Sequence, residues 1–262
     1  MDFESLVECF LCPEVKAIAL AGSFARGDWG VFSDIDLVRF LRTDAQPHDA
    51  ETQLIGEHFV VVSDIGPSKV ESCFTNPVDA TEYIAGLRMA RALWDPDSHF
   101  DAIQKRAHAF VWEGAIKDKA HAWASTQMAG WIEEVHKGLQ GLRRGDQGRM
   151  LNARYGLSWG LTKVMRVQRG ILISSDNGSY PEVVEDIGPH SEWGVLSRKV
   201  FGINGSTELR EQVKAGLRLY VVTAGILAST LKPDDKKLVD EAVNRIRKEL
   251  KEASNQSREA TS

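Results

Sequence analysis

The sequence predicts an α+β protein in two parts: a small mixed β-sheet with flanking helices, then an all-helical bundle. Three observations carry that reading. Strand-like runs are confined to roughly the first third of the chain. The remainder repeats its apolar residues at helical spacing. The charge also changes sign: residues 1–118 hold 10 basic and 20 acidic side chains, a net −10, and residues 119–262 hold 22 and 17, a net +5. At 262 residues and 43% hydrophobic, the chain can build a sizeable core without disulfide or metal staples. The expected boundaries are 1–100 for the sheet domain, 101–252 for the helical domain and 253–262 for a polar, disordered tail.

The elements follow in order. Residues 2–11 read as a leading helix. Residues 15–21 (VKAIALA) form a short apolar strand ended by Gly22-Ser23. Residues 33–40 (SDIDLVRF) alternate polar and apolar, residues 59–62 (FVVV) are aromatic and β-branched, and residues 69–75 (KVESCFT) alternate again. All three are expected to be strands, separated by Gly, Pro, Asn and Asp clusters. Residues 78–93 read as a helix, residues 101–142 as one long helix containing Trp112, Trp123 and Trp131, and residues 147–169 as another, closed by Gly170. A loop-rich stretch around one helical turn fills 174–191, and helices over 207–231 and 234–252 complete the bundle. Leu238, Ala242, Ile246 and Leu250 form an amphipathic stripe that packs on its own chain or on a second copy, so monomer and homodimer are both open.

Several functional classes are disfavoured. A net charge of −5 lacks the basic footprint of a nucleic-acid binder. No apolar run approaches the roughly 20 residues that span a bilayer, so no membrane partner is expected. The acidic start Met1-Asp2-Phe3-Glu4 lacks the basic opening of a secretory signal, and a cytoplasmic location is expected. Cys9 and Cys12 make a C-x-x-C pair. With only Cys73 besides, there is no second pair for zinc, and they read as small apolar residues on the first helix.

The chemistry lies in residues 22–37 (GSFARGDWGVFSDIDL). A strand ends at Gly22, where the missing side chain admits another group close to the backbone. Ser23 is expected at the N-cap of a short helical turn. Its hydroxyl and the free N–H groups make a seat for phosphate oxygens, and Arg26 adds a charged donor. The chain returns as a strand bearing Asp34 and Asp36, which share a face with Cα atoms about 6–7 Å apart. Such carboxylates raise each other's pKa unless a cation lies between them. Mg²⁺ suits that place, because it takes one or two carboxylates plus substrate phosphates.

Gly22-Ser23 followed by Ser33-Asp34-Ile35-Asp36-Leu37 resembles the signature of the DNA polymerase β-type nucleotidyltransferase superfamily. The two-part layout is similar to the nucleotidyltransferases that modify lincosamides and aminoglycosides. The resemblance implies an N-terminal nucleotidyltransferase domain with Asp34 and Asp36 on Mg²⁺ and a nucleoside triphosphate, most commonly ATP, with its outer phosphates near Gly22, Ser23 and Arg26. A small-molecule hydroxyl would attack, pyrophosphate would leave, and a nucleoside monophosphate would stay on the acceptor. The family's third carboxylate comes from a later strand. Its best match is Glu71, as metal ligand, general base or both, although Asp is commoner there. Asp64, at the meeting of a strand and a Gly-Pro turn, is the rival and reads as a turn residue.

From the helical part, relatives place basic residues on the triphosphate, which points to Lys163 or Arg154; the plainer reading is a core helix with a solvated basic face. Glu134, beside Glu133, is the reserve candidate for the base. Two other classes stand against the transferase. One is a non-catalytic nucleotide-binding or antitoxin-like protein on the same scaffold, which loss of a carboxylate would favour. The other is a serine hydrolase, because residues 156–160 (GLSWG) match the G-x-S-x-G elbow around Ser158; the strand that the elbow requires before the Ser is missing.

Overall fold

The structure, a computed structural model, describes residues 3–44, 51–203, 205 and 208–259. The chain forms two compact units: residues 1–116 with 172–176, and residues 117–171 with 177–262.

The first unit is built on a five-stranded sheet. In chain order it contains α1 (Phe3–Phe10), β1 (Val15–Leu20), α2 (Gly22–Arg26), β2 (Ile35–Leu41), β3 (Glu51–Ile55), β4 (His58–Ile65), α3 (Pro67–Thr75), α4 (Pro77–Met89), β5 (Arg91–Trp94) and α5 (His99–Ala109). The strands lie in the order β3-β4-β2-β1-β5. Only β2 and β4 are parallel, so the sheet is mixed as expected. Alternation along β1 and β2 supplies two cores. On one face Ile18, Leu20, Ile35 and Leu37 pack with Leu6, Val7 and Phe10 of α1. On the other, Ala17, Ala19 and Phe40 pack with Val70 and Cys73 of α3, Ala80 and Ile84 of α4, and Phe100 and Ile103 of α5. Arg39 and Asp64 tie β2 to β4 through two hydrogen bonds of 2.7 and 3.0 Å, and the Asp64 side chain is 2% exposed.

Five expectations are corrected here. Residues 69–75 are not a strand but the body of α3, entered through Pro67 in its first turn, where a missing N–H costs nothing. Asp64 is not a turn residue; it lies inside β4. Helix 78–93 stops at Met89, and β5 follows, pairing antiparallel with β1. The long helix over 101–142 is three helices: α5, α6 (Ala115–Gly130) and α7 (Ile132–Arg144). The first break spans residues 110–114 and contains Gly114 at φ +58°. The chain therefore divides after Ile116 rather than at 100, since Phe100, Ile103, Ala107 and Ile116 are buried in the first unit's core.

The second unit comprises α6, α7, α8 (Gln147–Tyr155), α9 (Leu161–Arg169), α10 (Ser179–Ile187), α11 (Glu192–Phe201), α12 (Leu209–Ile226) and α13 (Pro233–Glu259). Two large polar aromatics anchor its core. Trp193 donates its indole N–H to Thr223 Oγ1 at 3.0 Å, and Tyr220 donates to the Met128 carbonyl at 2.9 Å. Val239, Ala242, Val243 and Ile246 bury the inner face of α13 on its own unit, while Leu238 stays exposed. The helix runs to Glu259, well into the tail expected to be disordered; residues 260–262 lie outside the described residues.

Between α8 and α9 the helix widens into one π-helical turn, Gly156–Gly160. This is the G-x-S-x-G stretch, and it is no strand-to-helix elbow. Ser158 is 3% exposed and donates to the Tyr155 carbonyl at 3.0 Å, which removes the serine-hydrolase reading. Its glycines serve packing. A Cβ on Gly156 would stand 2.6 Å from Cγ of Glu134, and one on Gly160 would stand 2.3 Å from the Trp131 ring. Gly160→Ala is therefore expected to destabilise the protein by about 1–3 kcal/mol through overpacking, read from urea unfolding; no loss of stability would show that Trp131 moves aside freely.

Candidate active site

The site grows from the end of β1. Its pairing with β2 continues one residue past the strand, where the Ala21 N–H donates to the Asp36 carbonyl at 2.8 Å. Ala21 is extended, Gly22 turns to φ +60°, and α2 begins. Ala21 is the N-cap, so Ser23 lies inside the first turn and not at the cap as expected. The first N–H groups of a helix have no intrahelical acceptor, and those of Gly22, Ser23 and Phe24 open this one. Gly27 at φ +82° closes the helix, with the N–H groups of Gly27 and Asp28 both donating to the Ser23 carbonyl. A reciprocal turn follows: Gly30 N–H donates to Ser33 Oγ at 2.9 Å and Ser33 N–H to the Gly30 carbonyl at 3.0 Å. The chain then delivers Asp34 and enters β2.

Asp36 shares a sheet face with Val38 and Phe40, because Ile35 and Leu37 occupy the opposite core. Its carboxylate presses on the backbone of Gly22: a Cβ there would lie 1.7 Å from Oδ2. Any side chain at position 22 is thus excluded twice, by backbone conformation and by space. Asp36 is half-buried and Asp34 exposed. Burial pushes the Asp36 carboxyl above the usual carboxylate range, the Asp34 charge pushes it further, and the Arg26 guanidinium opposes both. Arg26, 18% exposed, also meets Asp28 at 3.2 Å.

The first unit therefore brings together Gly22, Ser23, Arg26, Asp34 and Asp36. It does not bring Glu71 to them. Glu71 sits on α3 and accepts two hydrogen bonds from Arg106 of α5, at 2.6 and 3.0 Å, which hold its carboxyl below the ordinary range. It lines a small cavity of about 220 Å³ with His99 and Ile103. The His99 ring meets the Phe40 ring, four residues along β2 from Asp36. Asp64 is no substitute, since it pairs with Arg39 on the other face. Among the described residues no group of three or more His, Cys, Asp or Glu side chains is arranged to hold a metal. Lys163 lies half-buried on α9 of the second unit. In the same unit Glu133 and Glu134 both pair with Lys137, at 2.9 and 2.7 Å.

A strand, a glycine bend, a short helix and a strand with two acids, all within 22 residues, match a known pattern. Residues 4–76 fit the description of the nucleotidyltransferase domain family. The first unit carries a nucleotidyltransferase domain. The chain also resembles a solved structure, the nucleotidyltransferase-like protein of Exiguobacterium sibiricum 255-15. The TM-score is 0.50 and the identity 10%, over 86% of this chain and 75% of that one, a likeness of fold. No curated protein sequence matches the chain.

Two predictions follow from this geometry. Replacing Glu71 with Gln should cost under about 1 kcal/mol, as for an exposed ion pair, and leave nucleotidyl transfer intact; a collapse of activity would return Glu71 to the site. Asp36 behaves oppositely. Its raised pKa means that ionisation works against folding, so stability is full in acid and declines as pH rises through the folded-state value. Asp36→Asn should raise the thermal midpoint at pH 7 in divalent-free buffer, and the gain should vanish below about pH 4.

Proposed function

We propose that the protein transfers a nucleoside monophosphate from a Mg²⁺-bound nucleoside triphosphate, most commonly ATP, to a hydroxyl of a small molecule, releasing pyrophosphate. The observation that carries this reading is the contact of the Asp36 carboxylate with the Gly22 backbone. It supports a reading in which a phosphate seat and an acid pair lie side by side at the end of the sheet.

The donor set fits a hard cation. Two carboxylates converge, one of them half-buried with a raised pKa, and Mg²⁺ completes its shell with water and phosphate oxygens rather than a full protein cage. Asp34 and Asp36 would hold it. When bound, the ion supplies charge neutralisation at the reacting phosphate. The chain's own groups do the rest. The N–H groups opening α2 and the Ser23 hydroxyl bind phosphate oxygens, Arg26 adds positive charge next to them, and the Gly30–Ser33 turn fixes the approach of Asp34. Lincosamides and aminoglycosides are the acceptors to screen first, on the strength of the family resemblance.

One observation favours a second reading, a non-catalytic nucleotide-binding protein on the same scaffold: the expected third carboxylate is elsewhere, in the Glu71–Arg106 pair. Incubation with Mg²⁺ and labelled ATP separates the two. Under the transferase reading, labelled AMP moves to an acceptor, and Asp34→Ala or Asp36→Ala lowers the rate by about a hundredfold or more with the fold retained. Tight nucleotide binding without transfer to any acceptor, water included, would establish the second reading instead.

A further inference from the structure

The sheet itself indicates where the acceptor lies and what it is like. This step rests on the transferase reading above. In the strand order β3-β4-β2-β1-β5, the acids of β2 stand between β1, which leads into the phosphate seat at Gly22-Ser23, and β4. A phosphoryl displacement runs in line, with attacking and leaving oxygens on opposite sides of the phosphorus. Pyrophosphate leaving on the α2 side requires the acceptor oxygen to arrive from the β4 side.

The register shows what it meets there. Asp36 pairs with Val61, which pairs with Thr52. The parallel pairing of β2 with β4 begins at Ile35 and Val60, and Phe59, the residue before Val60, pairs with Leu54 of the edge strand. Side chains paired across strands point to one face. Among the described residues of β3 and β4, the side chains on the face of Asp36 are therefore Val61, Phe59 and Leu54, flanked by Thr52 and Ser63, none of them an acid. Phe59 is 61% exposed and Leu54 65%. Two large apolar side chains held open on an edge hairpin invite aggregation unless something covers them. Helices α3, α4 and α5 pack on this face around Phe40, Val38 and Ile65.

We infer that Phe59 and Leu54 form an apolar ledge that binds the acceptor, and that the acceptor is a hydroxylated compound with an apolar or aromatic face rather than a polycationic sugar. The acceptor oxygen bonds to the α-phosphorus while the bond from that phosphorus to the pyrophosphate oxygen breaks. The hydroxyl proton passes to water, since this face of β3 and β4 offers no carboxylate to take it. An acceptor so placed contributes binding through area. Each buried methylene is worth about 0.8 kcal/mol, close to a fourfold gain in kcat/KM.

The test uses the full chain with Mg²⁺, labelled ATP and three alcohols of increasing apolar area: glycerol, 1-butanol and 2-phenylethanol. Transfer to each is followed as the adenylylated product, and transfer to water as AMP. The expected result is a rise in kcat/KM of about tenfold or more from glycerol to 2-phenylethanol. The double variant Phe59→Ser/Leu54→Ser should flatten that rise while KM for MgATP stays within about twofold, as expected when only acceptor contacts are lost. Leu54→Ser alone, at the sheet edge, should flatten it in part and guards against misfolding of the double variant. Transfer that ignores apolar area, or that keeps its preference in both variants, overturns the ledge and leaves the transferase reading standing. Transfer to no acceptor, water included, overturns both.

Discussion

The candidate active site of this protein depends on one contact, the Asp36 carboxylate lying against the bare backbone of Gly22. Strand pairing sets it up: the Ala21 N–H reaches the Asp36 carbonyl at 2.8 Å, so the bend after β1 and the acid on β2 are held by the same ladder. The contact has a cost. A half-buried carboxylate with a second acid two residues away is less stable charged than it would be in water. On the proposed reading, a cation bound there would relieve that unfavourable energy. A protein selected only for stability would place an apolar residue at position 36, continuing the face occupied by Val38 and Phe40.

Legibility from sequence followed the range of the interactions. The β1–α2–β2 segment was readable because its signals are local. An apolar strand, a glycine, a short turn and an alternating Asp-Ile-Asp each constrain the backbone where they stand. Residues 69–75 misled because seven residues alternating at period two also satisfy a helix with Val70, Cys73 and Phe74 on its inner side. The deciding signal was Pro67 just upstream, a residue suited to a helix's first turn and poor in a central strand. With the strand went the placement of Glu71, whose partner Arg106 lies 35 residues away and has no local signature. Strands β3 and β5 carry too few residues to outweigh their flanks, and both are fixed by partners elsewhere in the sheet.

The G-x-S-x-G stretch teaches the converse. A short pattern matched, and tertiary packing gave it another use. Gly156 and Gly160 leave room for Glu134 of α7 and for Trp131, the N-cap residue of that helix, and the backbone accommodates both by widening into a π-helical turn. Ser158, buried and bonded to the carbonyl three residues back, has no route to a substrate. The same residue types that make a nucleophile elbow after a strand make a close helix contact inside a helix, and what precedes the motif decides between them.

That no third acid stands beside Asp34 and Asp36 on the sheet, among the described residues, has an electrostatic logic. A further carboxylate at position 61 would stand next to Asp36 in the paired strand and raise a pKa that burial and Asp34 already raise. Two acids suffice where substrate phosphates complete the cation's shell. Under the proposed acceptor site, valine at 61 and phenylalanine at 59 have a different job: once an acceptor covers them, they would exclude water from one flank of the acids. In that drier setting each charge–charge interaction at the reacting phosphate is stronger than in bulk solvent. An acceptor with an apolar face would thus contribute twice, by its own burial and by sharpening the field of the groups that hold the nucleotide.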